Sequence, residues 1–223
     1  MRPSAHFAIA IATILGARAA PTYAQTDFGS WHSVAFDERE MGRVTLSGYV
    51  QVRLHDDSSE LRQLYLSQLV DIEAHERIGL GINYTYLPTR SALTGDFLYQ
   101  HRIELEAIPR WPAGNRLRFD VRNRLEIRWL EGKSGTNERS RHRAQGRYVM
   151  PDRGRLTAVF ANNEFFYDWD ESKYNENRLT PVGLTFRLYG EVGVDLYYMV
   201  QSLETSGRWT HTHLLGTHLT LAW

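Results

Sequence analysis

The residues whose types could carry covalent chemistry sit near the C-terminus: His211, His213 and His218, with Ser202 and Ser206 close by. A nucleophilic serine needs a base within hydrogen-bond reach and a third group that orients the base. In "WTHTHLLGTH" the spacing puts His211 and His213 on one face of a strand and His218 on the other. Two histidines on one face are too few for a structural metal site. Histidine at an interface is the plainer reading, and no catalytic residue, metal or cofactor is assigned.

A second set of residues could do ionic chemistry, and it is much larger. "RLRFDVRNRLEIRW" (116–129) alternates almost without a break. Leu117, Phe119, Val121, Leu125, Ile127 and Trp129 fall on one face, with Asn123 the one polar residue among them. Arg118, Asp120, Arg122, Arg124, Glu126 and Arg128 fall on the other. Nearby runs repeat the pattern: Arg102, Glu104 and Glu106 share a face, as do Arg139, Arg141, Arg143 and Arg147, and Glu164 follows Asn162. Neighbouring strands would then set Glu beside Arg. Lys133 and Lys173 are the only lysines, so the basic charge is almost all guanidinium. The planar fork of Arg binds carboxylates through paired hydrogen bonds, which suits a confined ionic interior better than a solvated face.

The elements that must position these rows are strands. Period-two alternation dominates and helical periodicity is hard to find. Eleven runs read as strands: about 30–38, 43–55, 60–73, 77–87, 96–108, 115–131, 138–150, 155–169, 178–189, 191–203 and 208–223. Turn-forming residues separate them, in breaks such as "PDRG", "YGE", "LPTRSALTG" and "DWDESKYNEN". Several runs exceed the 5–6 residues usual for soluble strands and reach the roughly 9–11 that a tilted membrane-crossing strand needs. The expected fold is all-β: a single antiparallel up-and-down transmembrane β-barrel. Such barrels carry an even strand number, so 10 or 12 strands are expected.

The ends of the chain agree with an exported barrel. Arg2, the apolar run "FAIAIATILG" (7–16) and the small residues of "PTYA" (21–24) read as a secretory signal peptide over 1–24, leaving 25–223 as the barrel domain. Of the 223 residues, 26 are basic, 26 acidic and none is cysteine, which excludes disulfides and thiolate chemistry. Losing Arg2 and Arg18 with the signal leaves the chain near neutral, which argues against nucleic acid as a partner. Aromatic residues sit near strand ends on the apolar face; Trp129, Trp209 and Trp223 are candidates for membrane-interface girdles. The chain closes "LLGTHLTLAW", similar to the terminal signal through which outer-membrane proteins meet the barrel-assembly machinery.

At "RLRFDVRNRLEIRW…RSRHRAQGRYVM", "NNEFFYDW", "NENRLTPVGLTFRL" and "DLYYMVQS" the chain resembles the DUF2490 family of Gram-negative proteins, from about Trp31 to Trp223. That resemblance implies a cell outer-membrane barrel and leaves activity open. The first expectation is therefore a monomer in outer-membrane lipid, structural or forming a narrow, anion-selective pore. Its lumen would be lined by Arg102, Glu104, Glu106, Arg118, Asp120, Arg122, Arg124, Glu126, Arg128, Arg141, Arg143, Arg147 and Glu164. A lipid-modifying hydrolase or acyltransferase is the alternative, although the His-x-Ser spacing of lipid A deacylases is lacking. A soluble periplasmic β-protein is the third.

Overall fold

The computed structural model describes residues 27–91, 94–152 and 154–221, so the expected signal peptide and Trp223 lie outside the described residues. Eleven long strands form the wall: β1 (Asp27–Met41), β2 (Val44–His55), β3 (Glu60–His75), β4 (Ile78–Tyr86), β7 (Gln100–Ala113), β8 (Leu117–Leu130), β9 (Asn137–Val149), β10 (Leu156–Asp168), β11 (Lys173–Tyr189), β12 (Val192–Thr205) and β13 (Arg208–Leu221). Two short strands, β5 (Thr89–Arg90) and β6 (Phe97–Leu98), make a small hairpin between β4 and β7, attached to the wall where Thr89 pairs with Gln63. Each wall strand pairs with both neighbours, and β1 joins β13, so the sheet closes on itself.

The strand count corrects the expected 10 or 12, and the closure corrects the expected all-antiparallel pairing. All eleven sequence candidates are in the wall, including the first. In an up-and-down barrel with an odd strand number the first and last strands run the same way. Accordingly β1 and β13 pair in parallel, from Asp27 opposite Thr212 to Phe36 opposite Leu221. Every other seam is antiparallel.

The two ends of the barrel differ. One carries the tight connections 42–43, 76–77, 114–116 and 190–191, together with 150–155. The other carries 56–59, 131–136, 169–172, 206–207 and the long 87–99 segment that contains β5 and β6. At the tight hairpins Gly190 and Gly207 take left-handed backbone angles (φ 53° and 80°), the twist that two-residue turns require. Cross-strand pairs of ring and glycine pin the register. Phe160 faces Gly183 and Tyr197 faces Gly216, each ring lying where a Cβ would stand.

Exposure alternates along the wall, and β7 shows the sense of the alternation. Gln100, Arg102, Glu104 and Glu106 are buried, whereas Ile103 and Leu105 between them are exposed. On β4, Ile82 is 51% exposed while Asn83 beside it is 2% exposed. The apolar residues Ile78, Leu80, Leu196 and Leu215 also face outward. A small apolar cluster lies inside, Trp31, Met199 and Leu214 with Tyr197 against it, and Phe160 and Phe166 are buried apart from it.

Candidate functional site

The interior is built from the inward positions of β7 to β11, and most of them are charged. Glu126 is 0% exposed and lies at the centre of the ionic lattice. It accepts hydrogen bonds from Arg139 Nε (2.9 Å) and Arg141 (2.7 Å), with Arg102 3.6 Å away. Glu164 accepts from Arg122 (2.7 Å) and from two nitrogens of Arg141 (both 3.1 Å). Arg124 holds Glu104 (2.5 Å) and Glu106. Arg128 donates to Asp168 (2.9 Å), which also caps the 169–172 turn through the backbone amides of Asp170 and Glu171. Carboxylates with several charge-assisted bonds each offset the large cost of burying ions.

Register sets Glu directly opposite Arg at Glu106–Arg124, Glu126–Arg139, Glu164–Arg143 and Glu164–Arg178, as expected, and adds like-charged pairs between them. The like-charged opposite pairs on β8 and β9 are Arg118 with Arg147, Arg122 with Arg143, and Arg124 with Arg141. On β7 and β8, Arg102 faces Arg128 and Glu104 faces Glu126. Like charges in that position repel. The long Arg side chains avoid the penalty by pairing diagonally or two strands away, as Arg122 does with Glu164 of β10. Ion pairing thus follows register at Glu106–Arg124 and Glu126–Arg139 and reaches past it where the opposite residue is another arginine.

The remaining predicted residues divide by depth. Arg143 and Arg147 are half-buried, with long contacts to Asp120 (3.4 Å) and Asp195 (3.8 Å). Arg118 is exposed, near the start of β8 at the short-turn end. Trp129 and Trp209 are exposed near the longer-loop end. At the short-turn end Trp111 and Tyr148 face outward too, and Tyr189 is the most exposed aromatic.

Sequence reasoning missed the rest of the interior. Arg53 stacks 3.6 Å from the Trp31 ring centre and 4.1 Å from Tyr65, and donates to Gln51 and Gln63. Arg178 sits over Trp31 and Phe166 and pairs with Glu176 (2.6 Å). Alternation in "VQVRLH" carried a signal for Arg53, whereas "NENR" is polar throughout and carried none for Arg178. The Arg53 signal was weak because a single charge does not make a row.

Two chambers lie inside the barrel. One, of about 410 Å³, includes Tyr49, Asn83, Arg122, Arg143, Arg147 and Tyr197 in its lining. The other, of about 730 Å³, lies toward the longer loops and includes His55, Glu60, Arg62, Arg102 and Glu176. Trp31, Arg53, Tyr65 and Arg178 line both, so this stacked group is the partition between them.

The histidines fall as their parity requires. His211 and His213 face outward and His218 faces the first chamber. Ser202 Oγ and His211 Nδ1 lie 2.9 Å apart across the β12–β13 seam. Four other wall histidines pair with a cross-strand partner in the same way: His32 with Thr217, His101 with Tyr84, His142 with Asn123 and His213 with Tyr198.

A closed β-barrel with an ionic interior and an apolar exterior is the class that fold and site define. The family model described as Protein of unknown function (DUF2490) matches residues 28–212, and the chain belongs to that family. No curated protein and no solved structure matches it.

Proposed function

We propose that the chain is a Gram-negative outer-membrane β-barrel whose lumen is occluded at rest, serving as a structural wall or a narrow anion-selective conduit. The observation that carries this reading is the inverted alternation of β7, with Ile103 and Leu105 outside and Arg102, Glu104 and Glu106 inside. In water such an exterior would be costly; in lipid it is required, and closure leaves no unpaired edge in hydrocarbon. Wall strands of 9 to 17 residues suit a tilted crossing. Outward aromatics toward both ends fit the two interfaces. The Trp31–Arg53–Tyr65 stack and the Glu126 lattice block a straight water path, as expected when side chains fill a small barrel.

The test is extraction of cell envelopes with and without detergent, read by heat-modifiable gel mobility. The barrel is expected only in detergent, and as a band whose mobility changes on boiling. Release by buffer alone would make it a soluble periplasmic protein.

One contact favours a second reading, lipid hydrolysis at the outward Ser202–His211 pair. No carboxylate hydrogen-bonds His211 among the described residues, and the pair is one of a series of satisfied wall histidines. Release of fatty acid from phospholipid vesicles, lost in Ser202→Ala, would establish it.

A further inference from the structure

The smaller chamber carries polar groups that the ionic lattice leaves uncommitted. Asn83 is 2% exposed and lines this chamber, yet neither its amide nitrogen nor its amide oxygen has a hydrogen-bond partner. Glu104, opposite it on β7, pairs with Arg124 through one oxygen, and the other is without a partner. Buried polar atoms of this kind are normally satisfied, so such a pair marks a place where something with hydroxyls fits. Arg122 Nε and Arg143 Nε are likewise buried without acceptors.

Charge on the same chamber is unbalanced. Arg143 and Arg147 reach their nearest carboxylates only at 3.4 and 3.8 Å, and their side chains are 26% and 30% exposed. Deeper in the lattice, Arg122 and Arg141 are 16% and 7% exposed and reach Glu164 at 2.7 and 3.0 Å. Arg147 lies near the end of β9, at the short-turn mouth. The ring of Tyr49 also lines the chamber, and Phe160 lies under the Arg147 guanidinium (5.2 Å). A volume of about 410 Å³ is within the range of small-ligand pockets.

We propose that this chamber binds a small hydroxylated organic anion of the sugar-phosphate or sugar-acid class, entering from the short-turn end. Its phosphate or carboxylate takes Arg143 and Arg147. Its hydroxyls donate to Glu104 and Asn83 Oδ1 and accept from the Asn83 amide. Both ends of the ligand are needed: an anion alone leaves Asn83 unpaired, and a neutral sugar leaves Arg143 and Arg147 with only their long contacts to Asp120 and Asp195 and the bond from Arg147 to Thr185.

The inference rests on the barrel reading, so the experiment separates the two. The barrel is folded in detergent, its integrity is read by heat-modifiable mobility, and binding of glucose 6-phosphate, gluconate, inorganic phosphate and glucose is measured by calorimetry. Glucose 6-phosphate or gluconate is expected to bind at least tenfold more tightly than inorganic phosphate and glucose. Arg143→Ala/Arg147→Ala is expected to weaken that binding at least tenfold. Asn83→Leu is expected to remove most of the advantage over inorganic phosphate while mobility stays heat-modifiable. Equal binding of inorganic phosphate and the organic anions, no binding by an intact barrel, or insensitivity to the arginine pair would each overturn the proposal. Loss of heat-modifiable mobility in the native chain would instead overturn the barrel reading.

Discussion

The two halves of the barrel fill the same space in opposite ways. From β7 to β11 the inward positions are mostly charged, with Phe160 and Phe166 among them, and the strands are cross-linked by ion pairs that often skip a neighbour. From β12 through β13 to β4 the inward positions are mostly uncharged, with rings, hydroxyls, amides and glycines prominent, and Arg53 is held by rings and amides and no carboxylate. The parallel seam lies in this second half. A charged lattice fixes geometry tightly, because losing any one member leaves its partners buried and uncompensated. Stacked rings and small residues give less per contact and tolerate more rearrangement. The first half is a brace, and the second is where an interior could adapt.

The contrast is broken most directly at Glu126. Glu126→Leu would leave Arg139, Arg141 and Arg102 facing one another, and is expected to cost about 3–5 kcal/mol. Urea unfolding in detergent, read by heat-modifiable mobility, would measure the loss. A cost under about 1 kcal/mol would mean water screens the lattice. In the second half, Gly216→Ala places a Cβ about 2.0 Å from the Tyr197 ring. Overpacking of that kind is expected to cost about 1–3 kcal/mol. In a Tyr197→Ala background the same glycine substitution should cost much less, and a double-mutant cycle measures that coupling.

Arg53 sharpens the comparison further. Arg53→Ala removes the stacked cation from the partition, with a stability cost of about 0.5–2 kcal/mol. Its larger consequence is expected in planar bilayers, where joining the two chambers should raise conductance above that of the native chain. Unchanged conductance would place the block in the Glu126 lattice.

The smallest effect lies at the rim. Lys173 beside Glu204 holds its carboxyl below the ordinary carboxylate range, and Glu204 in turn raises the Lys173 ammonium. A depressed carboxyl stabilises the fold above its unfolded pKa, about 4, and that contribution fades as pH falls through the lower folded value. Hydrogen exchange at the β12–β13 turn, where the Gly207 amide donates to Glu204, should quicken on acidification relative to Glu204→Gln. An identical pH response in the variant would remove Glu204 as the cause.

The sequence made the two faces and the wall strands readable, because period-two alternation survives wherever one face is uniformly apolar. Closure was not readable. Whether Asp27–Met41 joins the wall depends on pairing with a strand nearly two hundred residues away, and that single strand changes the parity and makes one seam parallel. β11 also begins earlier than its apolar pattern, at Lys173, since Tyr174 to Asn177 carry no alternation of hydrophobicity. Glu176 in that stretch nevertheless points inward to Arg139 and Arg178. The charge rows and some pairs across neighbouring strands were visible, whereas partners two strands away were not, because arginine there reaches past the opposite residue. Asn83 was invisible for a different reason: an unpaired amide is a fact about its surroundings.

The odd strand number has a further consequence for how the barrel can be finished. The seam that closes the cylinder joins the first and last strands, which run in the same direction along evenly spaced, slanted hydrogen bonds. Residue 27 therefore ends beside the start of the final strand while residue 221 lies at the far rim. The described wall thus begins at the rim of the longer loops and finishes at the rim of the short turns, which an even-stranded barrel would not do.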